Sequence, residues 1–267
     1  KRNLILITAF YNEIVNSEFD ERIKKALLFW FTASQSRLDK TNRYSYNHKR
    51  HVGPLANTLY ISATPVEISP FYFFRSKLSH FKKVKIPTGQ SVVQVGDTSN
   101  LANIASNSID YLFIDPPYGD NIPYAELNSI LESWLKVRTR IENETIISHK
   151  HNKGIIEYQN LLSLAFAEYF RIIKPGKWMT VIFSNTEASV WNVIQHAISQ
   201  AGFVVANVSV MDTSRPGLHG IIGPIAVKQP LVLTCYKPSD KFNDQFNQSS
   251  EGDIGVWTFV EDFINHL

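Results

Sequence analysis

Apolar runs of strand length alternate with longer amphipathic segments between residues 91 and 236. Five such runs are present, at residues 91–97, 109–114, 178–183, 203–210 and 230–236. Helical spacing of apolar residues covers residues 155–173 and 189–200, and a short polar helix is predicted at residues 100–105. Strands that alternate with helices predict an α/β fold, in which ligands bind beyond the carboxyl ends of the strands.

The N-terminal third has a different pattern. Residues 4–15 and 21–38 have the spacing of amphipathic helices, and residues 37–51 then mix basic side chains with tyrosines. A second basic cluster lies at residues 75–85. Basic and aromatic side chains together suit contacts with nucleic-acid phosphates and bases, although a solvated surface has the same composition. The candidates for such contacts are Arg43, Lys49 and Arg50.

Composition adds bounds to this organisation. The chain has 267 residues, of which 44% are hydrophobic, so a sizeable core is available. Its net charge of +3 is too modest to identify a partner. The single cysteine, Cys235, excludes an intrachain disulfide and indicates a reducing compartment, the cytoplasm. No apolar run approaches the roughly 20 residues that cross a bilayer, so no membrane contact is expected.

The tetrapeptide Asp115-Pro116-Pro117-Tyr118 closes the strand-length run at 109–114. Proline fixes φ and has no N–H, so a Pro-Pro pair is stiff and leaves carbonyl oxygens available as acceptors. The Asp115 carboxylate and a neighbouring carbonyl can therefore accept both protons of an exocyclic –NH2 group, while Tyr118 offers a stacking face. A turn that merely ends the strand is the alternative interpretation of these four residues.

The order of motifs resembles that of S-adenosylmethionine-dependent amino-methyltransferases, in particular the bacterial N4/N6 DNA methylases. The resemblance covers about half of the chain, roughly residues 91–238. It is carried by Gly96-Asp97, the tetrapeptide, a helix at 124–135 and the Lys174-Pro175-Gly176 turn. It implies a Rossmann-like class I methyltransferase sheet at residues 91–238, after a helical N-terminal segment with basic loops at 1–90. Residues 239–267 are expected to form a polar linker and a short C-terminal helix.

The resemblance also implies roles for individual residues. Asp115, Pro116, Pro117 and Tyr118 would form the catalytic loop, and Gly96, Asp97 and Asp115 would contact the S-adenosylmethionine cofactor. The target base would meet a further set of side chains: Tyr118, Asn121, Tyr124 and Asn185. Methyl transfer would be direct, without a covalent enzyme–base intermediate, and no metal is expected.

The first position of the motif, Asp rather than Ser, favours adenine N6 in DNA over cytosine N4. Two alternatives stay open. The chain could methylate an exocyclic amine of ribosomal RNA, or it could be a non-catalytic DNA-binding subunit of a methyltransferase complex.

One element of the resembled family is missing. No two glycines in the chain are separated by a single residue, so the aromatic-x-Gly-x-Gly loop that covers the methionine part of the cofactor is absent. In the resembled fold, the strand with this loop also lies between the strands ending at Asp97 and Asp115. We therefore expect an open sheet edge unless an N-terminal portion, a second chain, or local segments at 4–10 or 58–61 fill the gap.

Overall fold

The computed structural model describes residues 2–83, 89–120, 122–211 and 230–239. Asn121 and the helix expected after residue 239 lie outside the described residues. The chain forms two compact units, one from residues 1–93 with 123–140 and the other from residues 94–122 with 141–267.

The second unit is built on a four-stranded mixed sheet with the order β3-β4-β6-β5. Its strands are β3 (Ile109–Ile114), β4 (Ile173–Phe183), β5 (Val204–Val210) and β6 (Leu231–Tyr236). β3 and β4 are parallel, whereas β6 is antiparallel to both of its neighbours. The predicted α/β class is confirmed, and these strands agree closely with the apolar runs that predicted them.

Helices α5 (Ile155–Ile172) and α6 (Ala188–Gln200) cover one face of this sheet. The core between them contains alternate residues of the central strand, Met179, Val181 and Phe183, all fully buried. The helices contribute the buried residues Tyr158, Leu162, Phe166, Val190, Val193, Ile194, Ala197 and Ile198. Because each strand side chain alternates between faces, this apolar period is what sets the strand register.

Helix α5 ends just before the Lys174-Pro175-Gly176 segment, as predicted. These three residues, however, already belong to β4. The helix stops at Ile172 and the strand begins at Ile173, with a register shift before Trp178. Gly176 takes a φ of 74°, and its N–H donates to the Lys237 carbonyl at 2.9 Å. The bulge therefore needs glycine at this position.

The prediction of a strand at residues 91–97 is wrong, and so is the predicted helix at 100–105. Residues 91–97 have no regular structure, and Val92, Val93 and Val95 are 92%, 96% and 100% exposed. An apolar pattern becomes a strand only when a neighbouring strand pairs with it. Within the described residues, no strand does so here.

The same gap leaves one edge of the sheet open. Among the described residues nothing pairs with the outer edge of β3, where Tyr111 and Phe113 are 53% and 60% exposed. The local segments suggested as substitutes do not fill it. Residues 4–10 belong to a helix, and residues 58–61 are irregular, with large exposed side chains.

Two cations hold the turns of this unit. Arg171 donates to the carbonyls of Leu101 and Ile104, at 2.8 and 2.9 Å, and pairs with Glu168 at 2.8 Å. The buried Lys237 follows β6, and its Nζ donates to the Asn107 side chain at 2.7 Å and to the carbonyls of the α5–β4 junction. Backbone carbonyls outside the ladders are thereby satisfied.

The first unit packs four helices around an aromatic cluster. They are α1 (Arg2–Asn16), α2 (Glu21–Gln35), α3 (Pro70–Phe81) and α4 (Tyr124–Leu135), and both predicted N-terminal helices are confirmed. Phe31 is fully buried, with its ring 5.2 Å from that of Trp134. A hairpin of β1 (Arg43–Ser45) and β2 (Arg50–Gly53) follows α2. None of the described helices has the length and apolarity that a bilayer crossing requires.

Glu168 gives a pH-dependent test of the packing around residues 101–104. Its carboxylate accepts from Arg171 and from the Leu101 N–H, and these contacts lower its pKa to about 2. The stabilisation is therefore complete above the ordinary pKa of about 4.5 and is lost as the pH falls toward 2.

We expect Glu168→Gln to lower the free energy of unfolding by about 1.5 kcal/mol at pH 7, a modest value because the pair is partly exposed. The difference from wild type should shrink below pH 4.5 in urea titrations. Glu13→Gln, on an exposed glutamate of α1, is the matched control. An unchanged pH dependence in Glu168→Gln would contradict the assignment.

Candidate active site

The Asp-Pro-Pro-Tyr loop begins directly at the carboxyl end of β3. Asp115 is exposed, Pro116 to Tyr118 are half-buried, and Gly119 is buried. Gly119 has a φ of 78°, and a Cβ there would lie 3.1 Å from the Asn185 side chain. Glycine is therefore required where the chain leaves the loop.

Two side chains fix the loop through its carbonyl groups. The Tyr158 hydroxyl, from the first turn of α5, donates to the Pro117 carbonyl at 2.6 Å. The Asn185 amide, just after β4, donates to the Tyr118 carbonyl at 2.8 Å. Tyr158 is fully buried and Asn185 is 6% exposed, so both donors are themselves held in place.

These contacts leave a distinct pair of acceptors at the start of the loop. Within the described residues, no donor reaches the Pro116 carbonyl oxygen. The exposed Asp115 carboxylate accepts from the Tyr118 hydroxyl through Oδ1. A carboxylate and a carbonyl so close in sequence can accept two N–H groups of one amine.

The Tyr118 ring is held in place by packing against other aromatic rings. It meets the Phe183 ring edge-on, with the centroids 5.2 Å apart, and Phe183 packs in the same way against Trp191 at 4.9 Å. The Trp191 Nε1–H also donates to the Asn185 carbonyl at 2.8 Å. A ring supported in this way is a rigid surface for a flat ligand.

Asn185, which is predicted to contact the base, makes two hydrogen bonds through its side chain. Its Oδ1 accepts from the Glu187 N–H at 2.6 Å, at the entry to α6, while its amide holds the tetrapeptide loop. The side chain therefore joins the loop to the start of α6. A direct contact between Asn185 and a base stays a prediction.

Gly96 and Asp97 lie in the irregular, exposed segment before β3 rather than at a strand end. The Asp97 carboxylate accepts from the N–H and hydroxyl of Ser99, at 2.9 and 2.6 Å, and from the Asn143 amide at 2.9 Å. A Cβ on Gly96 would meet only the end of the Gln94 side chain, at 3.7 Å. Their contact with a cofactor stays a prediction.

The remaining predicted residues are placed as follows. Tyr124 is the first residue of α4 and is 37% exposed. Arg43 is half-buried in β1, whereas Lys49 and Arg50 are exposed at the hairpin turn and the start of β2.

Cys235 is buried in β6, and burial raises the pKa of its thiol to about 12. A thiol of this kind is not a nucleophile at neutral pH.

Tyr158 and Gly119 are site residues that the sequence analysis missed. Tyr158 looks like any apolar position of an amphipathic helix, because nothing local indicates that its hydroxyl reaches a loop 41 residues earlier. A signal for Gly119 was present, since a glycine directly after a rigid Pro-Pro-Tyr sequence indicates a turn with positive φ.

No protein-family model matches the chain, and no curated protein matches it in sequence. Several solved structures share part of the fold. One is TTHA0409 of Thermus thermophilus, a proposed DNA modification methylase, with 17% identity over 60% of each chain and a TM-score of 0.33. Another is the cytosine-N4-specific PvuII DNA methyltransferase, with 15% identity, 54% of this chain and 49% of that one, and a TM-score of 0.38.

A third is the M1.HpyAVI–SAM complex, with 15% identity, 51% of this chain and 47% of that one, and a TM-score of 0.27. The chain spans less than two thirds of the length of each of these three proteins. The activity of the whole protein is accordingly a matter of proposal.

The Tyr158 hydroxyl can be tested by its removal. We expect Tyr158→Phe to lower the free energy of unfolding by about 1–3 kcal/mol, because the half-buried Pro117 carbonyl loses its donor. Tyr111→Phe is the control, since it removes an exposed hydroxyl bonded to Thr180 on the same sheet. Chemical denaturation of both variants measures the difference. Equal effects would show that the Pro117 contact is not special.

Proposed function

We propose that the protein transfers a methyl group from S-adenosylmethionine to the exocyclic amine of a flipped base, with adenine N6 in DNA as the favoured target. The observation that carries this proposal is the pair of acceptors at the carboxyl end of β3. Tyr158 and Asn185 engage the later carbonyls of the loop, while Asp115 and the Pro116 carbonyl remain as acceptors for a ligand.

These acceptors suit an amine that gains positive charge. The methyl carbon would leave the cofactor sulfur as it bonds to the amine nitrogen. The nitrogen would then carry positive charge and release one of its protons to water, and fixed acceptors would stabilise that charge without reorganisation. The anchored Tyr118 ring would stack on the base, which must leave its helix because its amine cannot be reached in a duplex. Positioning of the amine supplies the remaining rate enhancement.

The cofactor would supply an electrophilic methyl group, and the residues of this chain fit it in part. Asp115 stands at the carboxyl end of a strand, where such sheets bind ligands. No Gly-x-Gly sequence is present for the methionine end.

We propose that a further polypeptide segment, from an N-terminal portion or a second chain, supplies this glycine loop and pairs with β3. The edge of β3, which no other described residues pair with and where Tyr111 and Phe113 are exposed, supports that proposal, as do the exposed valines at 92, 93 and 95.

Asp115 is the decisive residue for methyl transfer. We expect Asp115→Asn to reduce the transfer rate about a hundredfold or more, because a charged acceptor becomes an amide that also presents donors. Asp110→Asn is the matched control, since Asp110 lies on the same strand and is exposed, with Lys174 as its partner at 2.6 Å. Tritium transfer from labelled cofactor measures both, and a fully active Asp115→Asn would overturn the proposal.

The choice of substrate is resolved in the same assay. Duplex DNA and ribosomal RNA are offered in parallel, and mass spectrometry of the digested nucleosides distinguishes N6-methyladenine from N4-methylcytosine. The assay and a measurement of cofactor binding are both run on this chain alone and on this chain together with a segment that carries the glycine loop. If neither sample binds the cofactor, the non-catalytic DNA-binding subunit is favoured.

A further inference from the structure

A groove in the helical unit collects basic side chains from two separate stretches of the sequence. It has a volume of about 690 Å³ and lies among the end of α2, the β1–β2 hairpin and α3. Arg37, Arg50 and His51 line it from the first stretch, and Lys77 and His80 line it from the second. The two basic clusters of the sequence therefore meet at one site.

The groove carries a positive charge that its own lining does not neutralise. Two arginines and a lysine line it, and none of its described lining residues is acidic. Charges of one sign in a recess with protein walls focus the electrostatic field and attract a counter-ion of opposite sign. An extended anion is the ligand chemistry that this arrangement fits.

The backbone of the hairpin shapes one wall. Gly53 has a φ of 77°, and a Cβ there would lie 2.4 Å from Arg37 Nη1 and 2.5 Å from its Cζ. The guanidinium thus lies directly against the Gly53 backbone, and a side chain at residue 53 would displace it.

The α3 wall is ordered in a similar way. Lys77 Nζ lies 5.8 Å from the centre of the Phe73 ring, within the range of a cation–π contact. His80 donates from Nδ1 to the Ser76 carbonyl at 2.9 Å, which fixes its imidazole relative to the helix. Cationic groups that are held in place lose less entropy when an anion binds.

We propose that this groove binds the phosphodiester backbone of a nucleic acid. Arginine forks match phosphate oxygens in pairs, and a recess admits a strand backbone but not a flat lipid surface. The inference concerns the helical unit and does not rest on methyl transfer. Of the basic residues predicted from the sequence, Arg50 lines the groove, whereas Arg43 and Lys49 do not. Arg37 and Lys77 are additional basic residues that line it.

Fluorescence anisotropy with a labelled DNA duplex, measured across a salt series, tests the groove. The slope of log K against log salt is negative, and each lost phosphate contact lowers its magnitude by about 0.9. We expect Lys77→Ala to lower it by that amount, and Arg50→Ala with Lys77→Ala to lower it by about twice as much. Lys25→Ala, at an exposed lysine of α2 outside the groove, should leave the slope unchanged.

Gly53→Ala separates geometry from net charge. It keeps every cation but displaces Arg37, so binding should weaken while circular dichroism shows a folded protein. Equal losses in Lys25→Ala and Lys77→Ala would overturn the groove, as would binding to phosphatidylserine vesicles with the same dependence on Lys77. DNA binding in the salt series and methyl transfer are separate measurements on separate residues, so a failed groove and a failed methylation assay are distinguishable.

Discussion

The candidate site depends on two donors that tie the Asp-Pro-Pro-Tyr loop to the elements beside β3. A Pro-Pro pair has no N–H groups with which to hold itself in a hydrogen-bonded turn, so its position must be imposed through its carbonyls. Tyr158 does so from α5 and Asn185 from the end of β4. Both donors are buried. Because a buried core is closely packed, it restrains the loop and with it the carboxylate of Asp115 and the carbonyl of Pro116.

The sheet could be predicted where the chain contains both members of a strand pair. The apolar runs that form β3, β4 and β6 were predicted correctly. Their apolar residues pack against α5 and α6 or pair with a neighbouring strand, so each predicted strand has a partner. The run at residues 91–97 is also rich in a β-branched residue, valine, but meets no strand among the described residues, and its valines stay in solvent. A local pattern states only that a segment can pair, and the partner decides whether it does.

The site could be predicted where its residues are adjacent to one another in the sequence. Asp115 and Tyr118 belong to one tetrapeptide, whereas Tyr158 contributes a hydroxyl from the apolar face of an amphipathic helix, where it looks like a core residue. The basic groove shows the same limit. The sequence marks two basic clusters, but only the packing of α3 beside the hairpin brings Lys77 and Arg50 to one recess. Side-chain function that is assembled across elements carries no periodic signal.

Lys237 gives the second unit a particular folding order. Its ammonium group bonds to Asn107, 130 residues earlier, and to the carbonyls of Phe170 and Ile173, where α5 passes into β4. The turn that leads into β3 is thus completed by a residue that follows β6. The chain loses entropy when so long a loop closes, before these contacts can stabilise it, so such a sheet forms slowly. During synthesis, β3 and the Asp-Pro-Pro-Tyr loop would therefore reach their final arrangement only after Lys237 has left the ribosome.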